Sequence, residues 1–116
     1  MRELVRVSKA LADENRIRML KLLLEKDIYV CEMQEIFPLS QSQVSRSLKA
    51  LMDAGFLKRW HEGKCVVYVA DRDSSNKYCR ALLDVLAESF NDSEAVSTDR
   101  EKLQQVIAEQ VRERRK

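Results

Sequence analysis

Glycine and proline are scarce, with two glycines and one proline in 116 residues. That leaves little material for turn-rich barrels or phosphate-cradling loops, and favours helices. Cysteine is sparse too: Cys31, Cys65 and Cys79 are odd in number, widely spaced and without a C-x-x-C pair, which argues against a secreted disulfide scaffold. A single histidine, His61, and the lack of any paired carboxylates or Cys and His spacing offer no catalytic constellation, so an enzyme is not expected. The N-terminus carries no signal-peptide pattern, and a charged residue interrupts every apolar run before it could cross a bilayer. A cytoplasmic protein with no membrane partner is the expectation.

Charge of one sign is also lacking overall, since the formal net charge is only +2. Its distribution says more. Residues 40–64 hold five basic residues (Arg46, Lys49, Lys58, Arg59, Lys64) against Asp53 and Glu62, whereas residues 65–98 hold three basic against six acidic residues. A polyanion would meet the first stretch and avoid the second.

The stretch Ser40 to Gly55 carries both end signals of a helix: a capping box from Ser40 to Gln43, and Gly55 as the left-handed closing residue. Val44, Leu48 and Leu51 recur at helical spacing and predict a core face. Gln41, Ser42, Gln43, Ser45, Arg46 and Lys49 take the other directions. Gln can bond adenine at two points and Arg guanine, while Ser suits base or phosphate, so this face has the chemistry of major-groove readout. The same composition would suit a polar surface helix with no partner.

Upstream, residues 2–11 predict a modest amphipathic helix, and Asp13 caps a second over about residues 14–25, rich in Leu and Ile. Ile28 to Val30 reads as a short extended piece, and about residues 31–37 as a short helix stopped by Pro38. A short helix, a tight connection and the capped helix form a helix-turn-helix. Next, Leu57–His61 and Cys65–Val69 predict a β-hairpin whose basic tip (Lys58, Arg59, His61, Lys64) would make it a wing able to reach phosphates. Those charges would equally suit a solvated hairpin.

Downstream, Tyr78, Leu82, Val85 and Leu86, beside Cys79, Leu83 and Phe90, predict a helix with a wide apolar surface. Residues 91–98 read as a polar, mobile segment, and Leu103, Val106, Ile107 and Val111 as a last helix before a basic tail of Arg112, Arg114, Arg115 and Lys116. The expected fold is mostly α with a small β-hairpin. It is a winged helix-turn-helix in one domain over residues 1–116, with residues 76–116 as a helical extension for dimerisation. Terminal helices pairing with a second chain would bring Leu4, Val7, Leu82, Leu86 and Phe90 to a subunit interface, the alternative being a helix packed within its own chain.

The segments ALADENRIRMLKLL, DIYVCEM, LSQSQVSRSLKALMDAGFL and EGKCVVY together resemble the ArsR/SmtB family of bacterial transcriptional regulators over about residues 4–70. The resemblance implies a homodimeric winged-helix repressor that binds an imperfect inverted repeat in double-stranded DNA and leaves when an inducer binds. The helix holding Gln41, Ser42, Gln43, Ser45 and Arg46 would read bases, and the hairpin at Glu62 and Gly63 would be the wing. Many arsenic- and cadmium-sensing members carry a C-x-C pair and often a third Cys, where this chain has Tyr29, Cys31 and Gln34.

A thiophilic ion such as arsenite, As(III), would therefore need Cys65 or Cys79 to approach Cys31. Cys31, near a helix N-terminus where the dipole would lower its pKa, is the leading sensor candidate, by metalloid ligation or by oxidation. Cys65 and Cys79 also suit simple burial. Zinc-type members use His, Asp and Glu on the helix after the wing, where this chain has no His, so such a site is not expected. A thiol-redox or non-metal regulator, and a winged-helix module that docks on protein, remain open.

Overall fold

The computed structural model describes residues 1–114, with side chains described through residue 110. The expected positions of Val111 and of the basic tail therefore lie outside the described side chains, and Arg115 and Lys116 outside the described residues.

Among the described residues six helices and three strands follow in the order α1 (Arg2–Leu11), α2 (Glu14–Glu25), β1 (Ile28–Tyr29), α3 (Val30–Ile36), α4 (Gln41–Ala54), β2 (Leu57–Glu62), β3 (Cys65–Ala70), α5 (Lys77–Glu88) and α6 (Glu94–Arg114). Local chemistry sets most of these bounds. The Asp13 carboxylate accepts from the Arg16 amide at 3.2 Å and starts α2. Asn76 caps α5 by accepting from the amides of Tyr78 and Cys79 at 2.9 and 3.2 Å. Val7 of α1, Met19, Leu20 and Leu22 of α2, Met33 and Ile36 of α3, and Val44, Leu48 and Leu51 of α4 converge on Phe56 and Leu83, all essentially excluded from solvent. This apolar core drives the fold.

Ile28 to Val30 forms more than an isolated extended piece. β1 pairs antiparallel with β3, Ile28 opposite Tyr68 and Tyr29 opposite Val67, so the hairpin becomes a three-stranded sheet in the order β1-β3-β2. Ile28 is buried and Tyr68 lies against the core, which explains why two residues suffice for this strand.

The segment expected to be mobile over residues 91–98 is instead largely helical, because α6 begins at Glu94. Val96 and Asp99 are buried, and Arg18 donates to both carboxylate oxygens of Asp99 at 2.8 and 2.6 Å. Arg100 pairs with Glu25 at 2.5 Å. The last helix thus packs on α2 and α3 of its own chain, with Leu103 and Val106 buried there, and does not wait for a second copy. Val7 and Leu86, expected at a subunit interface, are likewise enclosed by their own chain. Leu82 is half-buried, while Leu4 and Phe90 are exposed, as are Val5 and Val85.

Candidate nucleic-acid interface

Helix α4 is held at both ends and from behind. Ser40 Oγ accepts from the Gln43 amide at 3.1 Å, and the Ser40 amide donates to Gln43 Oε1 at 2.9 Å, which completes the capping box. At the other end Gly55 adopts φ +110°, and its amide reaches the carbonyls of Leu51 and Met52. A Cβ there would sit 3.2 Å from both Cys79 Sγ and Ser74 Oγ. Val44, Leu48 and Leu51 are buried as the helical spacing predicts, while Gln41, Ser42, Gln43, Arg46 and Lys49 are exposed and Ser45 is half-buried. Gln34 Nε2 of α3 donates to Ser45 Oγ at 3.2 Å and to the Gln41 carbonyl at 3.4 Å, fixing the angle between the two helices.

These bonds refine what each side chain can offer. Gln43 gives its side-chain oxygen to the cap, which leaves its amide hydrogens to offer a ligand, whereas Gln41 is exposed. Lys49 forms an exposed pair with Asp53 at 3.4 Å, a contact worth little in water.

The wing is a two-residue hairpin in which Gly63 takes φ +62° at the first loop position. Arg59, opposite Tyr68 in the ladder, donates from Nη1 to the Tyr68 hydroxyl at 3.0 Å and lies 5.9 Å over its ring. His61 and Lys64 are exposed nearer the tip. The wing is also tied to β1: the Tyr29 hydroxyl donates to Glu62, and Trp60 Nε1 donates to the same carboxylate at 3.2 Å. Those two donors, Tyr29 first, hold the Glu62 carboxyl below the usual carboxylate range. Neither the Tyr29 tie nor the half-exposed Trp60 was visible as part of the site in sequence, since both depend on strand register.

Between α3, α4 and the wing lies an open cleft of about 440 Å³, whose lining includes Cys31, Cys65, Arg46, Lys49, Arg59 and Lys64. Two of the three thiols therefore meet the basic surface. Cys79 does not: it is buried, its Sγ donates to the Ala54 carbonyl at 3.2 Å, and burial pushes its pKa up to about 11. The expectation that Cys79 could join a sensing cluster fails on this packing. Among the described residues no group of three or more His, Cys, Asp or Glu side chains could hold a metal ion. Cys31 also departs from expectation, because its thiol is pushed up, chiefly by desolvation and then by neighbouring Cys65 and Glu32, and the helix terminus does not reverse this. No helix of the described residues is long and apolar enough to cross a membrane.

Comparison with known proteins bears on this geometry. The sequence model described as "Bacterial regulatory protein, arsR family" matches residues 13–59, which run from the cap of α2 into β2. The chain is 41% identical over 63 residues to the arsenic resistance transcriptional regulator ArsR1 of Pseudomonas putida, covering 53% of this chain and 49% of that protein. It is 35% identical over 81 residues to a transcriptional repressor SmtB homolog of Synechocystis, covering 69% of this chain and 61% of that one. The chain thus spans about half to three fifths of the length of these curated relatives. Among solved structures, HlyU from Vibrio cholerae superposes with a TM-score of 0.60 at 30% identity, covering 72% of this chain and 87% of HlyU. The matched segment, the winged helix-turn-helix fold and these relatives agree: the chain belongs to the arsR family of bacterial regulatory proteins.

Proposed function

We propose that this protein is a transcriptional repressor that binds an imperfect inverted repeat in double-stranded DNA as a homodimer and releases it when an inducer binds. The observation that carries this reading is the capped α4, whose exposed Gln41, Ser42, Arg46 and Lys49 stand beside a wing bearing Arg59, His61 and Lys64. Gln41 and Arg46 read base edges, Ser42, Gln43 and Ser45 supply shorter polar contacts, and Lys49 and the wing hold phosphates. Residues 1–116 act as a single winged-helix domain in the cytoplasm, with residues 76–116 as its helical extension. No reaction is assigned to it.

Arsenite is the leading inducer, and the names of relatives concerned with arsenic resistance favour it. The donor set present fits a ligand held by two thiolates, Cys31 and Cys65, with no third thiolate from the described residues of one chain. Binding at the cleft would couple to DNA release because Arg46 and Lys49 line the same space, and a ligand that favours a geometry with misaligned reading helices weakens DNA binding by the same coupling energy.

A footprint of the reduced protein on the fragment upstream of its own gene tests both parts. The expected result is a protected pair of half-sites that arsenite erases at a few equivalents. No protection at low salt would overturn the repressor and leave a protein-docking module. Protection that arsenite leaves untouched would remove the metalloid as inducer.

A further inference from the structure

We propose that Cys31 and Cys65 are a dithiol–disulfide couple, oxidised by a peroxide, that fastens the base of the wing to the first helix of the helix-turn-helix. Its chemistry stands on the cleft alone; its effect on DNA rests on the repressor reading above.

Strand register places the two cysteines at the same end of the β1–β3 ladder. In the β1–β3 ladder Ile28 lies opposite Tyr68 and Tyr29 opposite Val67. Cys31 stands two residues beyond Tyr29, in the first turn of α3, and Cys65 two residues before Val67, at the start of β3. Both thiols are exposed and line one cleft, whereas Cys79 is packed away. Cys65 is close enough to oppose ionisation of Cys31, and that repulsion between sulfurs disappears once they share a bond. Two thiols lining one cleft are the whole set of groups that a disulfide needs.

The step balances with hydrogen peroxide as oxidant. One thiolate attacks a peroxide oxygen, breaking the O–O bond, and becomes a sulfenic acid as hydroxide leaves. The second thiol then attacks that sulfur and expels the oxygen as water. The sum is two thiols and one peroxide giving one disulfide and two waters, with two electrons passing from sulfur to oxygen. A small thiol reverses it through a mixed disulfide.

The bond would join the first turn of α3, already tied to α4 through Gln34, to the residue next to Lys64 at the wing tip. Lys64 could then no longer adjust its distance from Arg46 and Lys49 across the cleft as a bound duplex requires.

Peptide mapping of the full chain without reduction, before and after hydrogen peroxide, tests the couple. The expected result is a loss of about 2 Da and a linked Cys31–Cys65 peptide, reversed by dithiothreitol. The link should be absent from Cys31→Ser and Cys65→Ser, both surface changes whose retained fold circular dichroism would establish. Oxidised wild type should bind its promoter fragment about tenfold or more weakly, a coupling of ordinary size, while both serine variants keep their reduced-state affinity in peroxide. A disulfide between two chains, sulfinic acid without a link, or a link with unchanged DNA affinity would each overturn the proposal. A reduced protein that binds no duplex would defeat the repressor reading instead, and the peptide map would still decide the thiol couple.

Discussion

Arg46 and Lys64 line one cleft from different elements and are expected to contribute to DNA binding in different ways. A guanidinium on the reading helix can bond guanine at two points, so Arg46→Ala should abolish the preference for operator over random duplex, costing about 1–3 kcal/mol at the cognate site. An ammonium at a wing tip meets phosphates, so Lys64→Ala should weaken binding to all sequences about equally and lower the salt slope by about one. Fluorescence anisotropy on both duplexes separates the two. At Glu62 the chemistry is one of protonation. Donors from Tyr29 and Trp60 lower its folded pKa, so the resulting stability is present above the unfolded carboxyl pKa and is lost as pH falls through the lowered folded value. Tyr29→Phe should move the Glu62 midpoint upward in a carboxyl NMR titration, and an unmoved midpoint would deny that the wing is tied there.

Elements differ in how they are fixed, and that decides what each substitution costs. Gly55→Ala forces a side chain into the left-handed region at φ +110° and into contact with Cys79 Sγ and Ser74 Oγ at 3.2 Å. The backbone conformation alone should cost about 1–2 kcal/mol, readable in urea unfolding. Asp99→Ala should cost about 2–3 kcal/mol, less than the about 3–5 of a fully buried pair, because Arg18 keeps partial access to water. The two positions also separate what sequence could reveal from what it could not. α1, α2 and α4 were legible because Asp13, Ser40 and Gly55 are local signals and Val44, Leu48 and Leu51 repeat at helical spacing. The start of α6 was not, because Glu94–Thr98 is polar and becomes helical through the distant Arg18–Asp99 contact, 81 residues apart in the chain. β1 was half legible: its β-branched Ile28 suggested extension, but its partner in β3 is 40 residues downstream. The polar face of α4 was legible as composition, whereas the loss of Gln43 Oε1 to the cap and the cleft that Cys31 and Cys65 share needed geometry.

For the molecule as a whole, exposed apolar side chains sit on and just beyond α1 and α5. Leu4 and Val5 on α1, Val85 on α5, and Phe90 just beyond it are exposed. A two-fold dimer through these positions would place two reading helices at related half-sites, about 34 Å apart on the duplex. Leu4→Glu combined with Phe90→Asp should shift sedimentation toward the monomer without loss of helicity, and should weaken operator binding more than random binding. A dimer that persists would move the interface elsewhere.

One face of α4 is expected to read DNA sequence. The most direct measurement is anisotropy of the reduced protein on its own promoter fragment and on a scrambled duplex of equal length, across a range of salt. Preference for the promoter fragment that persists as both affinities fall steeply with salt is the predicted result. Equal affinity for the two duplexes at every salt concentration would contradict it.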